Sequence, residues 1–148
     1  MNIHKLDKRL INFFKRTYIP LARVAFFVVF FWFGLIKLTG MSPASPLAEE
    51  LIAQTVGIQW FDLLFKLLAV IECAIGILFL FPKAVRLIIP ILFVHMIIVC
   101  SPLVLLPEYT WQSFLVPTLE GQYIIKNIVI VALAFGVAAN TQPLGKKS

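Results

Sequence analysis

Charge is scarce in this sequence, and that scarcity decides its class. Asp, Glu, Lys and Arg together make up 14% of 148 residues, while hydrophobic residues make up 61%. An ordinary soluble domain is about half apolar and a quarter charged, so a soluble core of this size would lack a polar coat. Histidine and cysteine are equally sparse, two of each. His95 is the only histidine inside an apolar run, because His4 lies near the start. A bis-histidine haem site within one chain is therefore excluded, and one histidine among scattered carboxylates makes no metal site. Cys73 and Cys100 form no C-x-x-C pair. Counted at 1.5 Å per residue they lie roughly 20 and 9 Å from the outer membrane boundary, too different in depth for a disulfide. No glycine-rich phosphate loop, nucleophile elbow or carboxylate dyad is present. No cofactor is evident in the sequence, and redox work would need a bound quinone or a partner protein.

Long apolar runs are what the chain has instead. A bilayer crossing takes about 20 mostly apolar residues. Leu21–Thr39, Trp60–Phe81, Val85–Leu106 and Gln122–Ala139 meet that requirement. The expectation is an all-α fold: one membrane domain over residues 1–148, built as a four-helix bundle. The first run follows a basic segment as a signal peptide would. It is longer than the usual ~7–15 apolar residues, and no clean small-x-small cleavage site follows in Gly40–Pro46. It reads as a retained helix.

Basic residues gather on one side of these runs. Lys5, Lys8, Arg9, Lys15, Arg16 and Arg23 precede or open the first, with only Asp7 opposing them. Lys83 and Arg86 lie between the second and third, and Lys146 and Lys147 lie in the tail, 140–148. The other two connections are acidic, with Glu49, Glu50 and Asp62 in one and Glu108 and Glu120 in the other. Lys and Arg in short flanks stay on the cytoplasmic side, which predicts both termini inside and a multi-pass protein of the inner (plasma) membrane. The basic excess thus serves topology, and nucleic acid is not an expected partner. Residues 1–19 read as a cytoplasmic segment in which Lys5–Tyr18 forms a short amphipathic helix. It would lie on the anionic leaflet with Leu10, Ile11, Phe13 and Phe14 toward lipid.

On the outer side, Leu47–Val56 predicts a short helix, with Glu49 and Glu50 in its first turns. Pro102, Pro107 and Pro117 forbid one continuous helix from the third run to the fourth, so Glu108–Glu120 predicts a folded or interfacial loop. Trp60, Tyr109, Trp111 and Tyr123 fit an aromatic belt at that level.

Three lysines are not explained by topology. Lys37 ends the first run, while Lys66 and Lys126 lie about 6–9 Å inside the outer boundary by the helical rise. Asn127 adjoins Lys126, and Glu72 and His95 sit nearer mid-membrane. A charge at such depth costs several kcal/mol on insertion scales and is rarely left against lipid. Lysine stems can snorkel to headgroups, but the short stem of Glu72 cannot. Lys66, Ala69, Cys73 and Gly76 recur at spacings of three and four, forming a small-residue stripe that Glu72 borders. Glu120, Tyr123 and Asn127 share a face in the same way. These positions predict a buried network in which Glu72 pairs with Lys126 or Lys37, with His95 close by. Glu120, Tyr123 and Trp111 are outer-loop candidates for the same site. The bland alternative is a network that only fixes helix register.

Three stretches resemble the DoxX family: Phe31-Trp32-Phe33-Gly34-Leu35-Ile36-Lys37, Glu72-x-x-x-Gly76, and Pro117-Thr118-Leu119-Glu120-Gly121-Gln122-Tyr123-Ile124-Ile125-Lys126-Asn127. The similarity runs from about Ala22 to Ala139. It implies a four-helix membrane bundle and points to Lys37, Glu72 and Lys126. The family's namesakes are linked to thiosulfate:quinone oxidoreduction and to membrane complexes against oxidative stress.

Three functions are therefore expected to compete. One is the membrane subunit of a quinone-linked or oxidative-stress redox module, with Lys126 and Asn127 donating to quinone oxygens and Glu72 or His95 handling protons. It would work with a membrane or peripheral redox partner. The second is a non-catalytic scaffold or assembly factor. The third is a small proton-coupled transporter acting as a homo-oligomer, although no inverted repeat is visible. Ala132 and Gly136 offer a small-xxx-small pair, for intrachain packing before self-association.

Overall fold

The structure, a computed structural model, describes residues 3–141. The basic tail residues Lys146 and Lys147, expected on the cytoplasmic side, lie outside them. The chain is mostly helical, 81%, as its composition requires.

Its first feature is one helix of 36 residues, Ile3–Leu38. It comprises α1 (Ile3–Phe26), a π-helical turn (Phe27–Phe31) and α2 (Trp32–Leu38). The sequence predicts a separate interfacial helix over Lys5–Tyr18. That segment is helical, but it runs into the first apolar span without a break. The proline between them, Pro20, sits inside α1 and does not end it. At 1.5 Å per residue the whole helix is about 54 Å long, well beyond the ~30 Å hydrocarbon thickness. Its basic end must therefore project past any bilayer that the apolar part crosses.

Gly40 follows with φ +73°, a left-handed turn that returns the chain from α2, with the Met41 N–H donating to Ile36 O at 3.1 Å. Helix α3 (Ser45–Thr55) forms where the proline-bounded segment predicted a short helix. Gly57, φ +101°, leads into a 3₁₀ turn at Ile58–Trp60 and then α4 (Phe61–Phe79). Helix α5 (Val85–Cys100) is followed directly by α6 (Pro102–Leu105). Pro102 is thus tolerated at the start of a helical segment, where its missing N–H costs least, and helix formation stops only at Leu106.

The stretch expected as a folded loop contains a helical turn, α7 (Pro107–Thr110), and a small antiparallel hairpin, β1 (Trp111–Ser113) with β2 (Val116–Pro117). Thr110 and Thr118 tie it down. The Thr118 hydroxyl donates to Tyr109 O (2.8 Å) and accepts from the Gly121 N–H (3.1 Å), which caps α8 (Leu119–Ile125). The Thr118 N–H donates to Thr110 O at 3.0 Å. Helix α9 (Asn127–Ala139) then completes the described chain.

One core joins these parts: Ala22, Phe26 and Phe30 from the first helix, Ile75 and Phe79 from α4, Val85, Ile88, Leu92 and Met96 from α5, and Ala134 and Val137 from α9. The Phe26 and Phe79 rings stack 3.9 Å apart, and Tyr18 closes against Gly136. The start of the first helix therefore shares one end of the molecule with the α4–α5 turn and the end of α9. Helix α3 and the hairpin occupy the other end. Ala132 is exposed, so only Gly136 of the expected small-residue pair packs within the chain.

Among the described residues, three helices are long and apolar enough to cross a membrane: Ile3–Leu38, Val85–Leu105 and Leu119–Ala139. Helix α4 has 19 residues, about 28 Å, and it carries Asp62, Lys66 and Glu72. Two of the three charges are exposed. The third is buried, and it organises the site.

Candidate functional site

The site starts from a close approach of two backbones. Gly34 of α2 and Gly76 of α4 sit where no Cβ fits. One added at Gly34 would lie 2.7 Å from Ala69 O and Cys73 Sγ, and one at Gly76 would lie 2.7 Å from Phe31 N. The small-residue stripe Ala69, Cys73 and Gly76 does what its spacing predicts and admits the neighbouring helix. The π-helical turn lies against the same stripe, and the Cys73 thiol donates to Phe31 O at 3.7 Å. Both cysteines are free thiols, as their depths required.

This contact delivers the Lys37 ammonium to Glu72. Lys37 Nζ donates to Glu72 Oε2 at 2.5 Å, and the two side chains are only 10% and 7% exposed. From α5, His95 Nε2 faces the second carboxylate oxygen, Oε1, at 3.4 Å. That contact is longer than a good hydrogen bond. The His95 ring is 3% exposed and meets the edge of Phe30, centroids 5.7 Å apart. His95 Nδ1 is buried without a hydrogen-bond partner. Three helices far apart in sequence thus place an amine, a carboxylate and an imidazole in one buried row.

The network differs from its expectation in membership. Of the two lysines proposed for Glu72, the structure selects Lys37. Lys126 is exposed and lies over the Tyr123 ring, 4.6 Å from its centroid. The reason is rotational: Lys126 ends α8 on the outer side of the helix, and a cation over an aromatic face is favourable there. Lys66, at the head of the stripe, is also exposed, as are Glu120 and Tyr123. Asn127 is half-buried, within hydrogen-bonding reach of Cys100, not Glu72. Trp111 has a structural task, since its Nε1–H donates to Leu103 O at 2.9 Å and holds the hairpin on α6. Phe30 carries no sequence signal, since nothing in a chain with 14 Phe singles it out, whereas Phe31 opens the Phe31–Lys37 motif.

Beside His95 lies a cavity of about 270 Å³ between α4 and α5, lined also by Leu68, Ile71, Pro90, Ile91 and Val94. Every other lining residue is apolar. Among the described residues no group of three or more His, Cys, Asp or Glu side chains could hold a metal ion.

At the hairpin end of the molecule, the Tyr109 phenol is held above its ordinary range. The Glu50 carboxylate is the main cause, with partial burial and Glu108 adding to it.

Chemically, the row can bind and relay. A lysine donates to an acceptor, a carboxylate accepts, and an imidazole can pass a proton between its two nitrogens. No protein-family model, no curated protein and no solved structure matches the chain.

Proposed function

We propose that the chain is a DoxX-like membrane protein with four crossings and both termini cytoplasmic. In this reading Lys37, Glu72 and His95 form its ligand- and proton-handling site, serving a quinone-linked or oxidative-stress redox module of the plasma membrane. The observation that carries it is the burial of this ionic row inside an otherwise apolar bundle. Intramembrane ionisable groups are costly and, where present, usually mark pathways or sites.

Helix α4 supplies the fourth crossing. It is long enough, and it packs within the same core as the other three. Its one buried charge is neutralised by Lys37. Charge supports the orientation: Lys5, Lys8, Arg9, Lys15, Arg16, Lys83 and Arg86 belong to one end, and Glu49, Glu50 and Glu108 to the other. The exposed apolar side chains along the helices, such as Leu63, Leu67 and Val70 on α4, suit lipid.

The residues fit a small redox-active ring. The apolar cavity beside His95 is about ring-sized, and Nδ1 is a buried polar atom without a partner. A quinone, when bound, would supply the two-electron chemistry. The chain would supply His95 at the cavity wall, with Glu72, steadied by Lys37, facing its Nε2.

A second reading, the non-catalytic scaffold, draws on one specific observation: both Glu72 oxygens are already engaged within the chain. Ion pairs of this kind can fix register without chemistry.

Mass spectrometry of small molecules extracted from protein purified in mild detergent separates the two. An apolar ring compound retained by the wild type and lost from Glu72→Gln supports the site. Empty extracts from a folded wild type, with membrane partners found by crosslinking, favour the scaffold.

A further inference from the structure

The nitrogen that faces a carboxylate is the one that carries the proton, because an ionised carboxylate can only accept. Glu72 already accepts from the Lys37 ammonium on Oε2, at 2.5 Å. Of the two His95 nitrogens, Nε2 faces Glu72. The neutral imidazole then has its lone pair on Nδ1, the atom buried without a partner. A buried acceptor left unmatched costs free energy, and a donor brought to it recovers that cost.

His95 is also the polar residue in the wall of the α4–α5 cavity. The volume of about 270 Å³ is close to twice the ~150 Å³ apolar cavity that accepts benzene. It therefore has room for one aromatic ring with a short alkyl extension. Leu68, Ile71, Ile91 and Val94 offer that ring no polar competition.

We infer that this cavity binds a hydroxyl-bearing apolar ring taken from the lipid phase, and that the ligand hydroxyl donates to His95 Nδ1. The inference rests on the ligand-site reading above and narrows it. The occupant is a donor, so a phenol-like or reduced hydroquinone-like form is held in preference to a carbonyl or ether form. Lys37 and Glu72 act as positioning residues, since they fix the tautomer without touching the ligand.

The test uses the full chain in lipid nanodiscs, labelled with ¹⁵N-histidine, and two matched probes: para-propylphenol and its methyl ether, para-propylanisole. The phenol is expected to bind about five- to tenfold tighter than the ether, as one neutral hydrogen bond gives. It should also move the unprotonated Nδ1 resonance of His95 upfield, while the ether leaves it in place. His95→Phe keeps an aromatic ring against Phe30 and removes the acceptor, so it should bind both probes equally. Equal binding by wild-type protein, tighter binding of the ether, or an Nδ1 resonance indifferent to the phenol would overturn the inference. Those outcomes leave the ligand-site reading standing wherever wild-type extracts still hold a compound that Glu72→Gln loses, so the two failures are distinct.

Discussion

Removing the Lys37 amine tests the energetics of the buried row most sharply. In Lys37→Met the apolar stem keeps its length, while Glu72, 7% exposed, loses its ammonium partner at 2.5 Å. Breaking a buried ion pair by deleting one member typically costs about 3–5 kcal/mol, because the surviving charge stays desolvated. His95 remains as a second, longer contact at 3.4 Å, which places the expected loss at the lower limit, about 3 kcal/mol. At ~2–4 °C per kcal/mol for a chain of this size, the midpoint of thermal unfolding in detergent should fall by about 6–12 °C. Glu72→Gln alone should also destabilise, and Glu72→Lys more so, since it sets two cations side by side. The double variant Lys37→Met/Glu72→Gln leaves no orphaned charge. It should be more stable than Lys37→Met alone, with a coupling of about 1 kcal/mol or more. Single losses that sum to the double loss within about 0.5 kcal/mol would refute the pairing.

Other outcomes follow from the same structure. Gly34→Leu places a side chain where even a Cβ would be 2.7 Å from Ala69 O, so it should separate α2 from α4. The expected cost is about 1–3 kcal/mol, with release of any retained ligand, whereas Ala132→Leu on the exposed face of α9 should unfold like the wild type. Tyr109 should ionise above 10.0 in a spectrophotometric titration read against Tyr109→Phe, and Glu50→Gln should bring it down. The sign is that of a group raised by folding: its contribution to stability is present below the unfolded value and fades as pH climbs through the folded one. For orientation, a C-terminal tag should be reachable only from the cytoplasmic side, and Lys83→Glu with Arg86→Glu should disturb that placement.

Much of the site is legible in the sequence, because depth and phase are simple functions of residue number. Lys37, Glu72 and His95 stood out as ionisable groups that an apolar run should not contain. The spacing of Ala69, Cys73 and Gly76 foretold a close helix neighbour. What failed was rotation. Helix α9 reads Asn127-Ile-Val-Ile-Val-Ala-Leu-Ala-Phe-Gly-Val-Ala-Ala139, apolar around its whole circumference. Nothing in such a helix shows which side faces in, so Lys126 and Asn127 were placed toward a site that they do not join. The π-helical turn at Phe27–Phe31 carries no glycine or proline to announce it. Its position against Gly76 comes from packing, a long-range property that local sequence does not encode. Pro20 does not end α1, since a proline inside a long helix can be absorbed by neighbouring turns.

The central claim is that an amine from the first helix and a carboxylate from α4 meet inside the bundle. Solid-state NMR of the chain in lipid bilayers reads that contact directly, as a ¹⁵N–¹³C dipolar correlation between Lys37 Nζ and the Glu72 carboxyl carbon. The account predicts a strong cross-peak, as a 2.5 Å contact to Oε2 requires, and its disappearance in Lys37→Met. A Lys37 amine that shows no correlation with Glu72 and exchanges freely with headgroup water would contradict it.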